Sequence, residues 1–153
     1  MEEHVMEVHE ALENEIQVVA FKLGSEEYAV EIVTVQEIIK VLTIARVPRA
    51  NKFIEGVINL RGNVIPVFNL HKRFGITPQG KDEDKRIIVF QFDDVKAAIM
   101  VDGVSEVIRI GVNSIEDAKK VYGSLDADFI QGVGKVEGRL LILLDLEQLL
   151  GAY

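Results

Sequence analysis

The chain has no cysteine among its 153 residues and only three histidines. Without cysteine it cannot form disulfides, thiolate zinc sites, iron–sulfur clusters or a cysteine nucleophile. It also lacks any apolar run approaching the ~20 residues that span a bilayer. The acidic start has no cationic region of the kind that opens a signal peptide. These absences favour a cytoplasmic protein that does not insert into a membrane.

Groups for catalysis and for metal binding are also scarce. His4 and His9 lie near the start without the i, i+4 spacing of a helical metal site, and His71 stands in a basic stretch. No serine has a GxSxG context and no phosphate-binding GxxxxGK[ST] loop occurs. We therefore expect no metal, no cofactor and no enzymatic activity. An enzyme using Glu37 or Asp102, or a double barrel that binds a small molecule or glycan, is the alternative from another class.

The charge is strongly uneven along the chain. There are 17 Lys and Arg against 25 Asp and Glu, a net charge of −8. Residues 1–15 hold six Glu and no Lys or Arg, so the rest has 17 − 19 = −2. This distribution predicts an acidic flexible tail at 1–15 and a nearly neutral domain at 16–153, and it argues against nucleic acid as a partner.

The body of the chain is dominated by short β-branched runs separated by turn residues, which predicts a mainly β fold. Helices are expected only in short pieces: after Pro48, at 70–75, in part of 113–128 and at the end. The predicted strands lie at 16–23, 28–33, 57–60, 64–69, 86–92, 97–102, 104–110, 129–136 and 139–146, with 34–44 extended or one helical turn.

The sequence repeats itself across the loop at 76–86. Residues 18–23 and 28–39 match segments 69 positions later, and 53–75 match one 76 positions later. The repeat predicts two similar five-stranded barrels that share a core and leave a groove between them. We expect 16–75 mainly in one barrel and 86–146 mainly in the other, with crossing of the terminal strands between them left open. The matched pairs include Phe21/Phe90, Val35/Val104, Glu37/Glu106, Phe53/Phe129, Gly56/Gly132 and Gly62/Gly138.

Two charged residues interrupt apolar runs of the first half. Glu37 lies in VQEIIKV and Arg61 in INLRGNVIPV. A charge in such a run either faces solvent on an edge strand or has a partner, because an unpaired buried charge costs several kcal/mol. Both interpretations are open from the residues alone. We predict that Glu37 and Arg61 form an ion pair near the groove.

At these residues the chain resembles the CheW family of chemotaxis coupling proteins. The resemblance rests on FKLGSEEYAVEIVTVQEI, VPRANKFIEGVINLRGNVIPVFNL, VDGVSEV and RLLILLDLEQLL, and it runs from about Val18 to Leu150. It implies two SH3-like five-stranded barrels around a shared hydrophobic core. It also implies a cytoplasmic adaptor, recruited to membrane-associated receptor arrays, that couples the cytoplasmic tips of transmembrane chemoreceptors to the regulatory domain of the histidine kinase CheA. Asn69 departs from the Asp that many members have before the following Leu.

The resemblance also implies roles for single residues. Gly56 matches a position tied to the kinase contact. Val104 and Val107 are three apart, so in a regular strand they would face opposite sides. Because the resemblance implies that both face the receptor, we predict an irregularity at Ser105–Glu106 that brings them together, while a core role for Val104 stays open as the alternative. The residues implied to face the receptor are Val35, Glu37, Arg61, Val104 and Val107.

Overall fold

A computed structural model describes residues 14–117 and 129–150. Most of the expected acidic tail, and most of the segment 113–128, lies outside these residues. The strands are β1 (Glu15–Leu23), β2 (Glu26–Glu31), β3 (Val35–Lys40), β4 (Ile54–Leu60), β5 (Asn63–Phe68), β6 (Arg86–Phe92), β7 (Val95–Val101), β8 (Gly103–Gly111), β9 (Ile115–Asp117), β10 (Ile130–Val136) and β11 (Arg139–Leu144). The helices are α1 (Leu70–Phe74) and α2 (Leu146–Leu150), and 3₁₀ turns occupy Ile32–Thr34, Asp82–Asp84 and Val112–Ser114.

The short helix α1 is defined by its two ends. The Asn69 side chain accepts a hydrogen bond from the Lys72 amide at 2.9 Å, which caps the first turn. Gly75 ends the helix in the left-handed conformation at φ 67°. The helix expected after Pro48 is wrong: residues 49–53 form turns instead. Arg49 itself adopts φ 63°, which a helix does not allow.

The strands form two sheets, and each sheet contains one hairpin from the other repeat. One sheet has the order β8-β1-β2-β11-β10-β9 and the other β3-β6-β7-β5-β4. Each sheet thus takes its central hairpin from one repeat and its flanking strands from the other. The crossing of the terminal hairpin β1–β2 was left open by the expected division into 16–75 and 86–146, whereas the crossing of the internal hairpin β6–β7 contradicts it. The repeat identifies equivalent strands, but it carries no information about which copy each strand pairs with.

Three apolar clusters result from this arrangement. One lies inside the six-stranded sheet and includes Val18 and Leu141, and one lies inside the five-stranded sheet and includes Ile58 and Ile87. The largest cluster takes residues from both sheets, with Phe21 and Phe90 among the largest fully buried side chains. This shared core is the predicted one. It joins the two sheets into one unit, because removing its apolar surface from water stabilises both together.

Candidate functional site

The predicted irregularity in β8 is present as a β-bulge. Ala20 of β1 lies opposite Glu106, whereas the next residue, Phe21, lies opposite Val104. Ser105 is therefore the extra residue on β8, and the ladder shifts by one position there. The prediction of irregular geometry at Ser105–Glu106 is confirmed.

The bulge brings two valines to one side of the strand. Val104 lies opposite Phe21 and Val107 opposite Val19, and these two β1 residues both belong to the shared core. Val104 is half-buried against that core, and Val107 is 51% exposed beside it. Val104 and Val107, called here the bulge face, form an apolar patch at the edge of the shared core.

Strand β3 repeats this geometry in the other sheet. Val35 lies opposite Phe90 and Glu37 opposite Val89, so Gln36 is the extra residue. Val35 packs against the shared core, like its counterpart Val104. Ile38 lies opposite Ile88 and is exposed, like its counterpart Val107. Sequence reasoning missed Ile38, although the 69-residue offset that pairs it with Val107 could have identified it. Val35 and Ile38 are called here the β3 face.

The predicted ion pair between Glu37 and Arg61 is confirmed. The Arg61 Nη2 donates to Glu37 Oε1, joining β3 to the β4–β5 turn. Arg61 holds φ 52° in that turn, and the Gly62 amide donates to Asn59 Oδ1 at 3.0 Å. The Arg61 side chain is 68% exposed, however, so the pair lies at the surface and is largely hydrated.

A second arginine, Arg139, lies at the start of β11, just after the turn of the other sheet that corresponds to β4–β5. It donates to Glu27 Oε1 and Oε2 at 3.0 and 2.6 Å and to Glu106 Oε1 at 2.5 Å. The Ser105 hydroxyl of the bulge also donates to Glu27 at 3.2 Å. The hydrogen bonds from Arg139 lower the pKa of Glu27, and the two carboxylates raise the pKa of Arg139. This network holds the two residues of the bulge, Ser105 and Glu106, through their side chains.

Gly56 stands apart from these residues, on β4. Its strand bridges to Ala45 through two backbone hydrogen bonds with Val57, at 2.8 and 2.9 Å. A Cβ at Gly56 would overlap the Ala45 carbonyl oxygen and lie 2.7 Å from Ile44 Cγ2. The counterpart Gly132 is equally covered, by Ile115 and by the Glu116 carbonyl. Gly56 therefore lies beneath the chain and allows a close approach that no other residue permits.

The chain that covers Gly56 carries an exposed patch that sequence reasoning missed. Residues 40–52, called here the apolar–basic segment, hold four basic and no acidic residues within a chain of net charge −8. Val41, Leu42 and Val47 are all exposed on it. The absence of acidic residues in 40–52 is a signal that the sequence itself contains.

The carboxylates considered for an enzyme are both engaged. Glu37 holds Arg61, and Asp102 Oδ2 accepts from His71 Nε2 and from the amides of Gly24 and Gln79. Among residues 14–117 and 129–150, no three His, Asp or Glu side chains lie together as a metal site would require. The geometry offers surfaces for contact with a partner more clearly than a place for a reaction.

Comparison with known proteins agrees with the motifs. The family model described as a CheW-like domain matches residues 17–153. The chain belongs to the CheW family. A chemotaxis protein CheW from Klebsiella aerogenes is 36% identical over 132 residues, covering 86% of this chain and 80% of that protein. The CheW of Treponema pallidum is 33% identical over 141 residues, covering 90% and 83%.

A solved structure of the same family matches the fold. The crystal structure of the scaffolding protein TtCheW from Thermoanaerobacter tengcongensis aligns with a TM-score of 0.77 and 42% identity, over 85% of this chain and 88% of that one. The predicted fold of two SH3-like barrels around a shared core, with short helices, is confirmed. The chain is a chemotaxis scaffold protein of this family. In the part of the chain that the structure describes, no helix has the length and apolarity to cross a membrane.

Proposed function

We propose that this chain is a non-enzymatic adaptor that couples the cytoplasmic tips of chemoreceptors to the regulatory domain of the histidine kinase CheA. It works in the cytoplasm, recruited to membrane-associated receptor arrays. The observation that carries the proposal is the presence of two kinds of exposed apolar surface on one folded unit. The bulge face and the β3 face border the shared core, and the apolar–basic segment covers Gly56.

The bulge face and the β3 face are the proposed receptor contacts. An α-helix that docks on a protein offers apolar residues at i, i+3 and i+4, which need an apolar strip with polar margins. Val35, Val104 and Val107 supply apolar surface, with Ile38 beside them. Glu37 and Arg61 supply the polar margin, since their surface pair can exchange its partner for a charged group on the receptor.

The apolar–basic segment is the proposed kinase contact. Because Gly56 lies beneath Ala45 and Ile44, it acts by letting this segment lie close to β4 rather than by touching the kinase. A larger residue at position 56 would lift the segment and move Leu42 and Val47 with it. This interpretation reconciles the kinase role implied for a glycine with its covered position.

Each contact can be weak in isolation. Small apolar patches with polar margins are typical of transient interfaces, and an array presents many copies at once. The complex is then stable because the scaffold binds receptor and kinase at the same time. The distance and angle between its two surfaces determine how the receptor and the kinase are placed relative to each other.

The proposal is tested by combining the purified chain with the cognate CheA regulatory domain and a receptor cytoplasmic fragment. We expect one complex that contains all three, measured by size-exclusion chromatography with light scattering. The chain alone should turn over neither ATP nor generic ester substrates. Failure to bind both partners, or measurable turnover by the purified chain, would contradict the proposal.

A further inference from the structure

One buried polar pair lies outside both proposed surfaces. Asp102 and His71 are the buried polar or charged residues among those the structure describes. Their side chains are 5% and 10% exposed, and His71 Nε2 lies 3.0 Å from Asp102 Oδ2. Such a pair is costly to bury unless its hydrogen bonds are satisfied, so its position in the fold needs an explanation.

Asp102 gathers four parts of the chain at one point. Its Oδ2 accepts from the Gly24 amide at 2.7 Å, from the Gln79 amide at 3.2 Å and from His71 of α1. Its own amide donates to the Lys22 carbonyl at 2.9 Å. Asp102 is also the residue between β7 and β8, where the chain leaves the five-stranded sheet and enters the six-stranded one.

The donors keep this carboxylate ionised. Burial raises the pKa of Asp102, but the hydrogen bonds from His71, Gly24 and Gln79 outweigh burial and leave the pKa below its ordinary value. An ionised carboxylate can only accept, so the His71 nitrogen that faces it has to carry a proton. His71 therefore donates from Nε2 to Asp102.

We infer that Asp102 and His71 are positioning residues for the bulge face, an inference that rests on the proposed receptor contact. Val104 follows Asp102 by two residues, and the bulge at Ser105 follows directly. Bulges disrupt the ladder, so β8 needs an anchor on each side of the irregularity. Arg139 and Glu27 hold Ser105 and Glu106, and Asp102 holds the start of the strand.

The first test measures hydrogen exchange in the full chain, without any partner. In Asp102→Asn and His71→Leu, the hydrogen-bonded amides of Gly103–Val107 should exchange at least about tenfold faster, while those of β6 stay unchanged. His71→Gln should behave like wild type, because its side-chain amide can still donate to Asp102. Asp145→Asn is the matched control, since Asp145 caps α2 by accepting from Gln148 and occupies the position equivalent to Asn69.

The second test measures binding and the hydrogen on His71 Nε2. Receptor-fragment affinity should fall about tenfold in Asp102→Asn, and affinity for the CheA regulatory domain should change less than about twofold. Nitrogen NMR should show a hydrogen on His71 Nε2 in wild type.

The outcomes separate the inference from the proposed function. Unchanged exchange at 103–107, or equal acceleration in β6, would overturn the positioning role and leave Asp102 a general stability residue. If His71→Leu does not fold, Asp102→Asn and His71→Gln decide alone. Exchange as expected, with no receptor binding by wild type, would contradict the proposed receptor contact and leave the anchoring of β8 standing without it.

Discussion

The β4–β5 and β10–β11 turns correspond in the two barrels, and an arginine pairs with glutamate beside each turn, called here the two arginine corners. The arginines themselves are not equivalent, since Arg61 corresponds to Glu137 and Arg139 to Asn63 at the 76-residue offset. Arg139 is 30% exposed and reaches three carboxylate oxygens on Glu27 and Glu106. Arg61 is 68% exposed and holds one oxygen of Glu37, the counterpart of Glu106. One corner is fixed within the fold, and the other is held loosely at the surface.

The two corners also differ in the charged residue that the neighbouring hairpin supplies. Glu27 of β1–β2 is equivalent to Lys96 of β6–β7 at the 69-residue offset. The hairpin exchange places Lys96 of β7 in the same sheet as the β4–β5 turn, so this sheet has a lysine at the repeat position where the other has Glu27. The two barrels thus share their strand arrangement but not these charges. Arg61 pairs with Glu37 at the surface, so it can exchange that carboxylate for one on a partner protein.

The largest expected loss of stability is at the two equivalent covered glycines, Gly56 and Gly132. Gly56→Ala and Gly132→Ala should each destabilise the protein by about 3 kcal/mol, at the upper end of the overpacking range, because both glycines lie beneath backbone. Urea unfolding measures this. Gly111→Ala is the control, since its added methyl meets only Ser114 Oγ at 3.8 Å. A loss at one glycine alone would break the equivalence of the repeats.

The next effect separates the corners. Arg139→Ala should cost about 2 kcal/mol of unfolding free energy, because it removes charge-assisted hydrogen bonds and leaves Glu27 half-buried without its partner. Arg61→Ala should cost less than about 1 kcal/mol. Thermal and urea unfolding of both variants measure the difference, and equal losses would show that the two corners are fixed alike.

Reversing the charge of Lys96 tests whether a second carboxylate in this sheet would hold Arg61 more firmly. Lys96→Glu supplies the missing carboxylate and should stabilise the protein by up to about 1 kcal/mol at low salt, with less gain at high salt. Lys96→Ala controls for loss of the cation alone. If Arg61 is needed by the receptor, receptor affinity should fall in Lys96→Glu. A destabilised Lys96→Glu would show that Lys96 has a structural role of its own.

The smallest expected effect is the coupling between Glu37 and Arg61. A double-mutant cycle with Glu37→Ala and Arg61→Ala should give about 0.5 kcal/mol in unfolding, since exposed pairs contribute little. The coupling should be larger in receptor binding, where the partner removes water from the pair. Absence of coupling in both measurements would show that the pair has no role in either.

Much of this molecule could be predicted because the evidence was local. The β-branched runs indicated most of the strands. The bulge at Ser105 and the pairing of Glu37 with Arg61 were predicted from residue spacing and charge together with the family resemblance, which implies that these side chains share one region.

What could not be predicted depends on contacts between distant segments. The hairpin exchange is invisible to a repeat, because equivalent strands carry equivalent patterns. Glu27 stands beside a turn that resembles any solvated turn, and its partner Arg139 lies 112 residues away. Residues 49–53 have helical composition, but the bridge between Ala45 and Val57 holds the neighbouring chain extended.

The central claim is that this scaffold presents separate receptor and kinase surfaces, and two exposed substitutions test it most directly. Affinities for a receptor cytoplasmic fragment and for the CheA regulatory domain would be measured by titration for Val107→Glu and Leu42→Glu. The control is Val112→Glu, at 48% exposure. We expect Val107→Glu to weaken receptor binding at least about tenfold, or about 1.4 kcal/mol, without affecting the kinase, and Leu42→Glu to do the reverse. Losses of both partners together, or of neither, would contradict the account.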